Sequence, residues 1–443
     1  MRTMFALTTA IGCVVVASAA DGPQAASDNW PGWRGPAGTG VAASGANPPI
    51  RWSTTTNIRW KAALPSRGSA SPIVWGDQVF VLTATKTDRL AKPDELPKPD
   101  PQFKTKTKPP EHFYRFEVLS FDRYTGTLRW KRTAAEAVPH EGHHDSHSYA
   151  AGSPVTDGKR LYVSFGSFGT YAYNLDGQLL WSRDFGRMHT RLAWGEAVTP
   201  VVSSDSVVLN WDQEADSKLI VLDATTGKTR WEAKRDEKTS WNTPFVVTHG
   251  SRTQVIVNAT NRIRSYDLAD GTVIWECGGM TTNAIPSATA ADGVAYVMSG
   301  YGGAAAVAVP LDSTGDLTDG GKLVWKYTKG TPYVPSPLLY DGRLYFTQGL
   351  TQILTVLDAK TGKPLLIEER LPTLTSFYAS PVAAAGRIYL VDQKGTTLVL
   401  KAGDSPEILA TNRLDDKIDA SPAVAGKQLF LRGEKYLYCI EEK

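Results

Sequence analysis

The sequence predicts an all-β fold: an eight-bladed β-propeller of four-stranded blades, its ring closed by an N-terminal strand. Two repeated elements and their spacing predict it. A small residue followed by proline precedes an alternating apolar strand at Ser71-Pro72, Ser153-Pro154, Thr199-Pro200, Thr243-Pro244, Ser336-Pro337, Ser380-Pro381 and Ser421-Pro422. Ser287-Ala288 fills the eighth slot without its proline. About thirty residues later come an apolar strand, Asp, a turn, Gly and an aromatic four residues beyond it, giving Trp130, Trp181, Trp231, Trp275 and Trp325. After a first interval of 82, the pairs recur every 41–49 residues. A unit of this length with four short strands is one propeller blade, a twisted sheet that must stack on neighbours to bury both faces.

The elements follow in chain order. MRTMFALTTAIGCVVVASAA has a short basic start, an apolar core and small residues at Ala17-Ser18-Ala19, so residues 1–19 read as a cleavable secretory signal. Its apolar run continues past Cys13 through Val14, Val15 and Val16, which argues against lipidation. No other stretch is long and apolar enough to span a bilayer. The mature chain is expected in the periplasm or secreted. Residues 20–56 form a Gly- and Pro-rich extension. Residues 57–64 carry Trp60 and have no unit of their own, whereas the last unit has room for only three strands. They are therefore expected to supply the missing outer strand of the eighth blade. The propeller then occupies 57–443.

Within each unit the Trp opens the outer strand and is expected to pack on the neighbouring blade. Gly362 leads to Leu366 instead, and the seventh unit (KAGDSPEIL) has lost the pattern. After the signal only Cys277 and Cys439 remain, too few for a disulfide framework and placed in separate blades, so two buried thiols are expected. Net charge is +3 and charged residues are 21% of the chain. That spreads too little field for nucleic acid or anionic membrane to be partners. A monomer is expected.

The stretch Asp223-Ala224-Thr225-Thr226-Gly227-Lys228-Thr229-Arg230-Trp231, echoed at Asp358-Ala359-Lys360-Thr361-Gly362-Lys363, resembles the quinoprotein (PQQ-like) repeat. The resemblance covers roughly residues 57–443. It implies the eight-bladed propeller of quinone-dependent dehydrogenases and of BamB-type exported propellers. It also implies, for the dehydrogenases, a vicinal cysteine pair, a Trp platform and a calcium held by Glu and Asn beside an Asp. Trp194, Trp211 and Trp241 are candidate platforms, but there is no adjacent cysteine pair and no matching acidic set. The quinone cofactor is not expected.

In a blade running outward from the axis, connections from outer to next inner strand share one face with those between second and third strands. The Asp-Gly turns lie on the other. The functional face is expected to collect Arg67, Arg191, Glu196, Trp241, Asn242, Tyr333, Tyr378 and Asp419 near the axis. Asp212, Glu214, Asn261 and Arg262 belong further out. Two long segments of the first blade join this face: the Lys/Pro-rich insertion at 84–116, expected to be extended and mobile, and the loop PHEGHHDSHSY at 139–149. The extension at 312–321 is expected on the opposite face.

That loop holds His140, His143, His144 and His147, four of the chain's seven histidines. With Glu196 or Glu141 they would suit a divalent metal ion, and hence a metal-dependent enzyme of lyase or hydrolase type. The spacing matches no strong metal signature. No Ser-His-Asp order, phosphate-cradling Gly loop or Cys-containing metal motif is present. The favoured reading is a binding module that uses Arg and aromatic side chains around the mouth to take a carbohydrate, a peptide or a partner protein.

Overall fold

The computed structural model describes residues 28–98, 100–319 and 322–442. The candidate signal at 1–19 lies outside the described residues. Eight antiparallel sheets are present, each built on four strands in outward order. The first consists of Ile73–Trp75, Gln78–Leu90, His112–Asp122 and Leu128–Ala137. The eighth joins Ala423–Ala425, Gln428–Arg432 and Tyr436–Ile440 to Ile58–Ala63 from the other end of the chain. Trp60 pairs with Cys439 and Ala63 with Tyr436, antiparallel, as the count of strands requires. Cys277 and Cys439 are buried free thiols.

The repeated Gly and Trp are two halves of one contact between blades. Trp60, Trp130, Trp181, Trp231 and Trp325 each lie on the turn glycine of the next blade and donate the indole N–H to a carbonyl there; Trp275 instead donates to Gln254 Oε1 of its own blade at 3.2 Å. Trp130 donates to Leu175 O at 2.9 Å, Trp181 to Ala224 O at 3.1 Å, Trp231 to Leu268 O at 2.9 Å and Trp325 to Ala359 O at 2.8 Å. Trp60 does the same to Arg123 O at 2.8 Å, so the joined blade uses the same latch. Gly227 shows why no other residue serves: its φ is +69°, and a Cβ there would sit 2.6 Å from the Trp181 ring.

The small residue of each pair has one role in seven of the eight blades. Its backbone N–H donates to the side-chain hydroxyl of its counterpart in the next blade. Ser71 donates to Ser153 at 2.9 Å, Ser153 to Thr199 at 3.0 Å and Thr243 to Ser287 at 2.8 Å. Ser287 to Ser336, Ser336 to Ser380 and Ser380 to Ser421 are each 2.9 Å. Ser421 returns to Ser71 at 3.0 Å. This belt circles the axis and satisfies buried N–H groups where strands converge too tightly for sheet pairing.

Residues 28–52 pack into the propeller. Trp30 and Trp52 are 0% and 5% exposed, within the core that joins the seventh, eighth and first blades. Trp30 bridges to Val74, Thr156 N–H donates to Pro31 O, and Ala383 N–H donates to Gly40 O. Contacts to the first, second and seventh blades within so few residues mean that the chain crosses the axis. Arg34 is 2% exposed, with Nη2 donating to Pro337 O at 2.6 Å and Thr39 O at 2.7 Å. Burial lowers its pKa to about 9. The channel is therefore plugged from the face of the Asp-Gly turns.

Both expectations about the insertions need correction. The 84–116 segment is docked: Gln78–Leu90 and His112–Asp122 extend it as a hairpin, and its tip lies on residues 189–193. There Phe103 stacks on His189 with centroids 4.0 Å apart, Lys106 N–H donates to Leu192 O at 2.9 Å, and the Thr107 hydroxyl donates to Ala193 O. The described part of the 312–321 extension, residues 312–319, does not stay at its turn. Gly315–Asp316 pairs in parallel with Trp275 and Glu276, adding a fifth strand to the outer edge of the fourth blade.

Candidate functional site

Above the plug the channel opens as a cup of about 460 Å³ on the face that carries the outer-to-inner connections. Its floor is Trp33, whose indole N–H reaches Ser421 Oγ at 3.4 Å, surrounded by the hydroxyl belt. The walls are aromatic. Trp194 and Trp241 lie face to face at 6.5 Å and 28°, and Tyr301 and Tyr333 pack at 4.7 Å. Ile285, Val334 and Leu350 fill the gaps between rings. A blind apolar cup with a few directed polar groups is the usual form of a small-ligand site.

The loop entering the second blade forms part of the rim and reaches across the mouth. Ser146 Oγ receives the Tyr378 hydroxyl at 3.0 Å, linking it to the connection before the seventh blade. Arg67 braces the same loop by donating to Asp145 O and His147 O, both at 3.2 Å. His144 donates its backbone N–H to Trp194 O at 2.9 Å and sets its ring edge-on to the Trp194 ring at 5.9 Å. Trp241 donates its indole N–H to Gly195 O at 2.7 Å, which fixes the other wall.

The four histidines do not form the metal cluster that their spacing allowed. Among the described residues, no three His, Cys, Asp or Glu side chains come together to hold an ion. Each imidazole has its own partner instead. His140 Nε2 donates to Met188 O at 2.7 Å, and His143 Nδ1 donates to His144 O at 2.8 Å. His144 Nδ1 meets the Ser146 hydroxyl at 2.7 Å, while His147 Nδ1 accepts the Ser148 N–H at 2.8 Å. Consecutive side chains on an irregular loop diverge, and the loop backbone takes their hydrogen-bonding capacity. His140 and His147 are kept neutral by burial, which lowers their pKa values to about 4 and about 3.

Glu196 is likewise turned away from the cup. Gly195, at φ +106°, swings the chain so that Trp194 lines the cup and Glu196 enters a small neighbouring cleft. There its carboxyl accepts the Ser167 N–H at 2.6 Å and the Ser167 hydroxyl at 2.7 Å. Burial, with Glu141 nearby, pushes it up to about 8. His140 lies 3.9 Å away, but both groups are neutral near pH 7, so this is not an ion pair.

Of the other expected residues, Trp241, Tyr333, Tyr378 and Asp419 line the cup. Asp419 accepts from Gln393 Nε2 at 2.6 Å and pairs with Lys417 at 3.1 Å. Asn242 does not line it: the side chain is buried between blades and donates to Ser240 Oγ at 3.0 Å. Arg191 anchors its backbone N–H on Thr239 Oγ1 at 2.9 Å. Asp212, expected further out, is a buried partner of Arg235 at 2.7 Å. Sequence reasoning missed Trp33, Tyr301 and the hydroxyl belt. The belt had a signal, since a hydroxyl residue recurs before seven prolines and at Ser287.

A family model described as outer membrane protein assembly factor BamB matches residues 115–315 and 259–442. No curated protein matches the chain in sequence. Among solved structures, BamB from Moraxella catarrhalis is similar with a TM-score of 0.51 at 14% identity, covering 81% of this chain and 100% of that one. A europium-containing methanol dehydrogenase gives 0.60 at 11% identity, covering 91% and 89%. The quinohemoprotein alcohol dehydrogenase ADHIIG from Pseudomonas putida HK5 gives 0.58 at 12%, covering 95% and 82%. At such identities these likenesses establish the propeller alone. Among the described residues no helix is long and apolar enough to cross a membrane.

Proposed function

Because this chain belongs to the BamB family of propellers, we propose that it is an exported binding module that holds its ligand in the cup above the plugged channel. The single observation that carries the reading is the wall of paired rings, Trp194 with Trp241 and Tyr301 with Tyr333, around a blind cup of about 460 Å³. Rigid aromatics bury much area on binding and lose little side-chain entropy. The ligand class is a carbohydrate, a peptide or an exposed segment of a partner protein. The signal-like start of the sequence supports export, as does the family's description as an outer membrane protein assembly factor. The metal-dependent enzyme is the less favoured reading, because among the described residues no three candidate ligands converge.

The test is a thermal-shift screen of the mature chain against pools of oligosaccharides and of short peptides. A pool that raises Tm in the wild type should have no effect on a Trp241→Ala, Tyr333→Ala double variant. Equal stabilisation of both proteins places the site elsewhere and sinks the proposal. Intact-mass measurement of the exported chain checks cleavage after Ala19.

A further inference from the structure

We infer that the cup is built for an uncharged saccharide, an inference that rests on the binding reading above. Three independent features of the lining converge on it, beginning with the floor. Seven of the eight links in the belt place a backbone N–H on a Ser or Thr oxygen. A hydroxyl has one hydrogen and two lone pairs, so each of these oxygens accepts from the protein and keeps its own O–H to donate. Ser71, Ser153, Thr199, Ser336, Ser380 and Ser421 bring such hydroxyls to the lining of the cup. The floor thus presents a circle of donors, and a ligand rich in hydroxyl and ether oxygens can accept several at once.

The second feature is the wall. Trp194 and Trp241, 28° from parallel, offer flat faces, as do Tyr301 and Tyr333 across the cup. A pyranose ring carries hydroxyls at its edge and C–H groups on its faces. The C–H faces fit the negative face of an aromatic ring while the edge stays free for hydrogen bonds. Trp241 cannot turn away, because its indole N–H is held by Gly195 O at 2.7 Å. Its ring is therefore set in place before any ligand arrives.

The third feature is charge. Among the described residues Asp419 is the one carboxylate in the lining, and Lys417 at 3.1 Å already balances it. His147 is buried and hydrogen-bonded through Nδ1 to Ser148 N–H. Among the described residues no Lys or Arg side chain lines the cup to receive a carboxylate, sulfate or phosphate. An anionic ligand would lose its hydration without a partner, and so would the charged end of a peptide. A neutral sugar carries no such penalty, and Asp419 can accept two of its hydroxyl hydrogens.

The experiment is isothermal titration of the mature chain with four neutral tetrasaccharides, those of β-linked glucose, α-linked glucose, β-linked xylose and β-linked N-acetylglucosamine. A polygalacturonate tetramer and an uncharged capped tetrapeptide complete the set. At least one neutral sugar should bind, with affinity falling at least about tenfold in Trp241→Ala and in Tyr333→Ala. Trp241→Phe should retain part of it, which guards against a variant that merely misfolds. Binding of the capped peptide or the acidic tetramer alone, lost in Trp241→Ala, overturns the saccharide class and leaves the cup reading intact. Absence of binding by all four neutral sugars also overturns the class. Sugar binding that ignores Trp241 and Tyr333 overturns both.

Discussion

The backbone N–H of Ser421 donates to the hydroxyl of Ser71 at 3.0 Å, across the seam where the last blade meets the first. The residues are 350 positions apart, and this bond completes the belt around the axis. Ser71 is 2% exposed, so removing its hydroxyl strands a buried N–H. Ser71→Ala should cost about 1–3 kcal/mol in urea unfolding. Ser66→Ala, on the same connection but outside the belt, should cost less. Equal effects would show that the belt is incidental.

Outer-strand closure makes a stronger demand. Ile58–Ala63 gives the eighth blade its outer strand, and Trp60 latches it to Arg123 O. Deletion of residues up to Leu64 also removes Trp30 and Trp52 from the core. The truncated chain should lose its cooperative thermal transition by near-UV circular dichroism. A normal melt would mean that the ring is closed by something other than this strand.

The Gly-to-Trp latch can be separated from backbone strain. Gly227 at φ +69° has the Trp181 ring against the position of a Cβ, whereas Gly250 at φ +59° has nothing within 4 Å. Both alanine variants bear the cost of a left-handed residue, about 1 kcal/mol. Gly227→Ala should cost at least about 1–3 kcal/mol more, the range for overpacking a filled site. If the two variants have equal urea midpoints, the ring contact contributes nothing.

These latches and the blade count were legible because they repeat: each turn needs Gly, and a Trp at fixed spacing in one blade covers the equivalent Gly of the next. The cup was legible only by half. Trp241 and Asn242 are neighbours, but one lines the cup and the other points between blades, and nothing local marks which. Glu196 went the wrong way because Gly195 reverses the chain at φ +106°. Tyr301 sits on a second-to-third connection expected to lie further from the axis, yet it lines the cup. Trp33 and Arg34 were invisible because the plug precedes the first repeat, and its partners come from five blades. The four histidines in one loop each take a separate hydrogen-bond partner, and His144 and His147 also line the cup.

Glu196 and the buried histidines make opposite demands on pH. Glu196 sits at about 8 in the fold, facing Glu141, His140 and Tyr149. The folded state holds a proton that the unfolded chain releases above the usual carboxylate range, so stability falls as pH rises towards 8. His140 at about 4 and His147 at about 3 work the other way. The unfolded chain binds protons that the fold refuses, and stability falls as pH drops below about 6.5. Urea midpoints between pH 4 and 9 should peak at about pH 5–7. Glu196→Gln should flatten the alkaline side and steepen the acid side, because the Glu196 contribution already opposes that of the histidines between about pH 4.5 and 6.5. An unaltered alkaline slope would place Glu196 in the ionised form at neutral pH.

Phe103 on His189 ties the insertion to the cup. The stack, at 4.0 Å and 12°, sits beside the Lys106 to Leu192 hydrogen bond. The same short segment continues into Trp194, whose ring is one wall of the cup. Anchoring by one ring pair is worth about 0.5–1.5 kcal/mol beyond area burial. Phe103→Ala should therefore release the tip without unfolding the propeller. Trypsin should cut faster at Lys104 and Lys106, and amide exchange at Lys106 should quicken several-fold, with Tm nearly unchanged. If release also weakens ligand binding, the insertion holds the Trp194 wall in place from outside. Unchanged proteolysis would show that the hydrogen bonds from Lys106 and Thr107 hold the tip without the stack.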